Sequence, residues 1–223
     1  MTVSLVGGVL LLPISRDLFL PPPDVVARAL LGMLVVRDWQ GLTLAGRIVE
    51  TEAYFGANDP AAHAFAGRTA RTEVLFGRPG HAYVYTIYGL HACLNVSCEP
   101  EDHAGCVLIR AVEPVAGLPV MAQLRGLPAD TTPRLLTSGP GRLCQALGIT
   151  RPACNGLDLL DPASPLRLAA DHAAVESSAG TTQQPGTSSI RISPRIGIRK
   201  AVELPLRFYL AGNTCVSGPR RKA

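Results

Sequence analysis

The stretch HAYVYTIYGLHACLNVSC, residues 81–98, concentrates β-branched and aromatic residues on both sides of Tyr88-Gly89. Such side chains suit a pleated, half-buried surface. The spacing therefore predicts a β-hairpin with Tyr88-Gly89 near its tip. Upstream, MLVVRDWQGLTLAGRIVETEAY (33–54) reads as two strands across a turn near Gln40 and Gly41, and downstream GCVLIRAVEP (105–114) reads as another strand. LPPPDVVARALLG (20–32) has a proline-rich entry, an Asp at a helix start and a closing Gly, which predicts a short helix from about Val25 to Leu31. GLPVMAQLRGL (117–127) predicts a second short helix, and SGPGRLCQALGI (138–149) a turn running into a third. IRISPRIGIRKAVELPLRFYLAGN (190–213) returns to strand, and Phe55 to Gly80 reads as a long loop with one helical turn. AAVESSAGTTQQPGTSS (173–189) is polar and low in complexity, and SGPRRKA (217–223) reads as a disordered tail.

No internal repeat or domain boundary interrupts this pattern. The expectation is an α+β fold in a single domain over residues 1–223, with a curved, mostly antiparallel sheet flanked by helices. Its core spans about 14–217, with a flexible loop at 173–190 and a tail at 218–223.

Composition narrows the function classes. Of 223 residues, 47% are hydrophobic and 17% charged, which is globular rather than disordered. Twenty-one basic residues against 17 acidic give a net charge of +4, a balance that admits a polyanion without requiring one. No apolar run reaches the ~18 residues that span a bilayer. MTVSLVGGVLLLP (1–13) is apolar but short, with no basic residue before it and no small-residue cleavage site. The expectation is a monomer without membrane association, cytoplasmic, or nuclear if the source is eukaryotic.

ETEAYFGANDPAAHA (50–64) gathers two carboxylates, an aromatic ring, an acidic turn and a histidine in a mostly aliphatic chain. In a strand, Glu50, Glu52 and Tyr54 share one face, and Val49, Thr51 and Ala53 the other. Two carboxylates and a tyrosine do not belong in an apolar core, so that face looks into solvent or a polar cleft. An ordinary solvated face would suffice, except that the following loop brings His63 and the next hairpin carries Tyr83, Tyr85 and Tyr88 in a chain only 5% aromatic. Tyrosines so concentrated form either a stacking surface or simple cross-strand pairs. His91, Cys93, Cys98, His103 and Cys106 are metal-ligating types, but their spacing fits no standard zinc module. Buried structural thiols are the plainer account, and no cofactor or metal is expected.

The blocks GRIVETEAY, DPAAHA, PGHAYVYTIYGLHACLNVS, CVLIRAVEP, SGPGRLCQALGI and PLRFYLAGN occur in this order and cover most of the chain from about Ala27 to Ser217. Their ordered combination resembles the alkyladenine DNA glycosylases, also called 3-methyladenine DNA glycosylases of the mammalian type. GRTARTEVLFG departs from that family, with Ala70 and Thr72 where Pro and Asn are expected, a difference that touches the loop rather than the chemistry.

The resemblance implies an enzyme that binds double-stranded DNA containing damaged purines, flips the damaged nucleotide out of the duplex and hydrolyses its N-glycosidic bond in base excision repair. It implies that Glu52 activates the attacking water, and that Tyr54, His63 and Tyr85 hold the flipped base. Tyr88 would fill the gap left in the duplex, Asn95 would exclude the exocyclic amine of guanine, and Arg110 would contact the phosphate beside the lesion. The resemblance gives Glu50 no role. No lysine nucleophile stands in these motifs, so a glycosylase without strand cleavage is expected. The competing expectations are a nucleic-acid-binding module without catalysis and a zinc hydrolase built on the His/Cys cluster.

Overall fold

The computed structural model describes residues 4–87, 89–172 and 189–218. Tyr88, most of the low-complexity loop and the end of the tail lie outside the described residues.

The chain forms, in order, β1 (Ser4–Val6), β2 (Val9–Leu12), α1 (Pro23–Ala29), β3 (Leu34–Trp39), β4 (Leu42–Phe55), β5 (Ala82–Ile87), β6 (His91–Cys98) and β7 (Gly105–Ala116). Then come α2 (Leu118–Leu124), α3 (Pro133–Thr137), α4 (Pro140–Ala146), α5 (Arg151–Cys154), β8 (Leu166–Asp171), β9 (Ile190–Ser193) and β10 (Arg207–Leu210). One antiparallel sheet runs β1-β2-β8-β3-β4-β7-β6-β5, with β10 paired to β4 and β9 to β10. This is the α+β class the sequence pattern predicts.

Local chemistry sets the hairpins. Gln40 (φ 49°) and Gly41 (φ 78°) both take positive φ, the two-residue turn whose twist matches antiparallel strands. The prolines Pro23, Pro119, Pro133, Pro140 and Pro152 fall at helix starts, where a missing N–H costs nothing. Leu30, Val35, Leu44, Val49, Ile109, Met121, Leu143 and Phe208 join α1, α2 and α4 to the sheet in one core. A smaller cluster of Val6, Leu11, Leu34, Val36, Ala45 and Ala169 joins β1, β2, β3, β4 and β8.

Several sequence expectations shift. The first helix starts at Pro23 and ends at Ala29, two residues earlier than its apolar spacing suggested. The N-terminal apolar run is the β1–β2 hairpin, and LRLAAD (166–171), whose alanines give it little strand character, is β8. Phe55 to Gly80 holds three 3-10 turns, Gly56–Asn58, His63–Ala66 and Glu73–Phe76, rather than one helical turn. Thr72, where the family pattern has Asn, is buried and closes this segment: its hydroxyl accepts from the Thr69 N–H (2.9 Å) and donates to the Gly67 carbonyl (3.2 Å). The continuous strand expected over 190–213 is two four-residue strands, and the irregular segment between them turns toward the candidate site.

The fourteen-residue β4 positions that site. One edge pairs with β7 along nearly its whole length; the other pairs first with β3 up to Arg47 and then with β10 from Glu50 to Glu52. The β4–β7 register passes from Ile48↔Val112 to Glu50↔Ala111 and then Thr51↔Ile109, so Val49 and Arg110 are bulged residues on facing strands. Bulges bend a strand and re-aim its side chains.

Gly46 lies at another irregularity in that ladder, where a Cβ would stand 2.5 Å from Val112 Cγ2 and 2.9 Å from Val112 Cβ. Gly46→Ala should therefore destabilise the protein by about 1–3 kcal/mol, the usual cost of overpacking. Urea denaturation should show a lower midpoint at unchanged slope; an unchanged midpoint would mean the strand yields freely there.

Candidate active site

Glu50, Glu52 and Tyr54 do share a face of β4, while Val49 and Ala53 enter the core on the other and the Thr51 hydroxyl donates to the Ala27 carbonyl of α1 (2.9 Å). The carboxylate face is not solvated. Both glutamates are 0% exposed, enclosed by β7, β10 and the segments flanking β10. Buried carboxylates need partners, and the sequence supplies arginines.

Glu50 Oε1 accepts from Arg110 Nε (2.9 Å), Arg207 Nε (2.6 Å) and Ser217 Oγ (2.8 Å), and Oε2 from the Ser217 N–H (2.6 Å). Burial alone would raise its pKa, but Arg110, Arg207 and the Ser217 N–H hold the carboxyl below its ordinary value.

Glu52 sits differently. Oε1 accepts from the Ile196 N–H (2.7 Å) and pairs with Arg110 Nη1 (3.2 Å), and Oε2 accepts from the Tyr54 hydroxyl (2.9 Å). Burial pushes its pKa up, and Arg110, Ile196 and Tyr54 offset that only in part; the charge of Glu50 adds to the rise. A carboxylate offers about four lone-pair sites. Hydrogen bonds fill two of them, and Arg110 adds an ion pair.

Beside Tyr54 opens a cavity of about 450 Å³, lined among others by Tyr54, His63, Tyr85, Asn95, Arg71 and Lys200. That is the size range of small-molecule sites. His63 meets Tyr85 edge-on, with ring centroids 4.3 Å apart at 78°, and its Nδ1 lies 2.9 Å from the Tyr83 hydroxyl. Arg71 Nη2 lies 3.4 Å from His63 Nε2. An arginine only donates, so this contact makes Nε2 the acceptor and puts the imidazole proton on Nδ1, facing Tyr83. One edge of His63 remains exposed. Its packing among the tyrosines, and then Arg71, hold its pKa well below the usual value.

Asn95 is buried on β6 at the cavity wall, and its amide donates to the Tyr83 carbonyl (3.1 Å). It is braced by backbone and faces the cavity at once.

The acidic turn of 50–64 also finds its partner. Asp59 is buried and bidentate with Arg195, one bond being 2.9 Å and the other, from Arg195 Nη1, shorter. Asp59 also accepts from the N–H groups of Phe55 (3.3 Å) and Ala61 (3.0 Å), tying the loop that carries His63 to β4. The Arg195 guanidinium lies 4.5 Å from the Tyr54 ring centroid. One ion pair thus fixes both Tyr54 and the approach to His63.

Tyr54, His63, Tyr85 and Asn95 therefore line one cavity, with Glu52 hydrogen-bonded to Tyr54. Arg110 lies beneath them, buried, with Nε on Glu50, Nη1 on Glu52 and near the Ile196 carbonyl (3.5 Å), and Nη2 near Ser217 Oγ (3.4 Å). Tyr88 lies outside the described residues. Sequence reading gave Asp59 only as an acidic turn and missed Arg71, Arg195, Ile196 and Arg207. The Arg195 position carries no distinguishing signal, since Arg191, Arg199 and Lys200 lie within five residues of it, and a backbone N–H such as that of Ile196 leaves none.

Among the described residues no three His, Cys, Asp or Glu side chains come together as a metal site, and no helix is long and apolar enough to cross a membrane. The cysteines of the proposed zinc cluster are buried, which pushes the Cys93 thiol up to about 11, Cys106 up to about 12, and Cys98 well above its ordinary value.

A sequence profile described as methylpurine-DNA glycosylase (MPG) matches residues 17–214. A protein of Koribacter versatilis named for 3-methyladenine DNA glycosylase activity is 50% identical over 210 residues, 94% of this chain and 95% of its own. Proteins carrying the same name from Nitrosospira multiformis (45% over 197 residues, 88% and 90% of the two chains) and Methanoculleus marisnigri (49% over 193 residues, 86% and 92%) are similar in extent.

The His63 environment is directly measurable. NMR titration of the imidazole should give a midpoint well below the ordinary value of about 6.5, with the proton on Nδ1 in the neutral form. Because burial outweighs Arg71, Arg71→Ala should recover only part of the shift. A wild-type midpoint at or above the ordinary value would contradict a neutral histidine packed among the tyrosines.

Proposed function

Since the chain belongs to the methylpurine-DNA glycosylase family, we propose that it excises 3-methyladenine from DNA by hydrolysing the N-glycosidic bond, with Glu52 as the base that activates water. The observation that carries this is the state of Glu52: a buried carboxylate whose basicity is raised by burial, held by the Ile196 N–H, the Tyr54 hydroxyl and the Arg110 ion pair, and bonded to a tyrosine that lines a cavity of about 450 Å³.

The reaction needs a proton acceptor for water and negative charge near a sugar that develops oxocarbenium character. A carboxylate supplies both. A base inside the stack cannot be reached, so the damaged nucleotide must leave the duplex. Tyr54, His63 and Tyr85 offer rings to the extruded purine, at roughly 1–3 kcal/mol of stacking per base. A cationic alkylated purine gains further attraction from the ring faces. Tyr88 belongs to this reading as the wedge that fills the vacated space. Beside its position, the tip residues Gly89 (φ 70°) and the 81% exposed Leu90 present an apolar end to solvent.

Arg71 and Lys200 at the cavity, with Arg199 beside them, supply positive charge for a phosphate backbone. Arg110 acts in this reading through Glu52, and its phosphate contact would require Nη2 to leave Ser217. Hypoxanthine and ethenoadenine belong to the proposed substrate range, because both lack the amine that Asn95 would meet. The enzyme acts as a monomer and, with no lysine nucleophile assigned, does not cleave the strand. A binding module without catalysis is the weaker reading: a buried carboxylate of raised basicity beside the cavity has no purpose in holding a polyanion.

Two measurements test this reading. Glu52→Gln should lower single-turnover base release by roughly 10²–10⁴-fold while retaining binding to damaged duplex. In the wild type the rate should rise with pH as Glu52 loses its proton. That limb should lie above the ordinary glutamate value of about 4.3, because burial raises the carboxyl. A Glu52→Gln rate within a fewfold of wild type would remove Glu52 from the mechanism.

The second measurement concerns selectivity. Asn95→Ser should shift excision toward guanine, measured opposite thymine, relative to hypoxanthine in duplex oligonucleotides. An equal loss on both would reduce Asn95 to a brace for the Tyr83 carbonyl.

A further inference from the structure

We propose that Glu50 is a positioning residue for the hydrolysis: its carboxylate takes up the charge of Arg110 and Arg207, so that Arg110 can orient Glu52 without quenching it as a base. This rests on the reading of Glu52 as the group that activates water.

Two residues apart on β4, Glu50 and Glu52 face one shared cation. Arg110 donates Nε to Glu50 at 2.9 Å, and its Nη1 stands 3.2 Å from Glu52 Oε1 as an ion pair. An arginine bound to Glu52 alone would draw the carboxylate toward its ionised form and weaken it as a proton acceptor. With its better-placed nitrogen on Glu50, Arg110 still fixes Glu52 while much of its charge is answered elsewhere. Glu50 suits that task because four donors hold it fully buried: Arg110, Arg207, and the N–H and hydroxyl of Ser217. Its own protonation is suppressed by those cations, so it stays charged while Glu52 titrates.

The groups that act on Glu52 can be named. On its own strand they are Glu50 and Tyr54; on β7, Arg110; on β10, Arg207, its partner in register. From the segment after β9 come Arg195 and the Ile196 N–H, and from β6 Cys93. Among the described residues, Glu50 is the carboxylate of that set that adds negative charge, and Arg110 is the cation that pairs with both glutamates.

The test is the pH dependence of single-turnover base release from methylated duplex DNA, enzyme in excess, from mildly acid to neutral conditions. Glu50→Gln leaves Arg110 to act on Glu52 alone. Its acid limb should move down by about one pH unit while the plateau rate falls. Arg207→Gln leaves the Glu50 charge less neutralised and should move the limb the other way. A structural staple would lower the rate or the melting temperature in both variants without moving either limb, and that result overturns the proposal. Circular dichroism establishes which variants fold. If Glu50→Gln does not, the upward shift in Arg207→Gln decides; if neither folds, the cluster is an anchor and the proposal fails. A parallel profile of Glu52→Gln separates the two ideas. An active Glu52→Gln removes the base itself, whereas an inactive one beside unshifted Glu50→Gln and Arg207→Gln limbs removes only the role of Glu50.

Discussion

Two carboxylates buried side by side repel each other, and β4 carries such a pair at Glu50 and Glu52. Either would protonate or drive the strand outward without nearby cations. Arg110, paired to both, and Arg207 on β10, paired to Glu50, make the arrangement tenable. The placement follows from the ladder. A bulge at Arg110 opposes one at Val49, and β4 exchanges β3 for β10 just where the carboxylates begin. The sheet thereby brings an arginine to each flank of the acidic pair.

Around that cluster, residues of one type take different roles through their surroundings. Glu50 is saturated by cations and fixed in its charged form; Glu52 meets one shared cation and two neutral donors and keeps its basicity. Tyr54 and Tyr83 divide similarly. Both line the cavity, but Tyr54 bonds to Glu52, while Tyr83 is buried and bonds to the histidine in front of it. Asp59 and Arg195 form a second ion pair whose product is rigidity, in the loop before His63 and behind the Tyr54 ring.

Much of this was legible in the sequence. The alternation Glu50, Glu52, Tyr54 placed three groups on one strand face, and aromatic crowding marked β5 and β6 as the wall of a site. Gln40-Gly41 announced its own turn. What could not be read was the environment. Nothing in the alternation says that its polar face is roofed by β10, because that pairing joins residues far apart in the chain. Strand pattern gave the segment 190–213 a continuous β reading because isoleucines and leucines recur through it. The prolines Pro194 and Pro205 and glycine Gly197 argued otherwise, and the gap they leave holds Arg195 and Ile196. The bulges are equally silent in sequence, yet Arg110 owes its place to one.

The atoms that complete the acidic cluster come from the end of the sheet. The Ile196 N–H reaches back 144 residues to Glu52, and Ser217 reaches back 167 to Glu50. Contacts of such separation fold slowly, because long loops must close before they are rewarded. During synthesis, Glu50 and Glu52 leave the ribosome long before Arg207 and Ser217 exist, and a strand whose charges are not yet answered cannot settle into the core. Closure of the acidic cluster on β4 therefore waits for residues as far along the chain as Ser217.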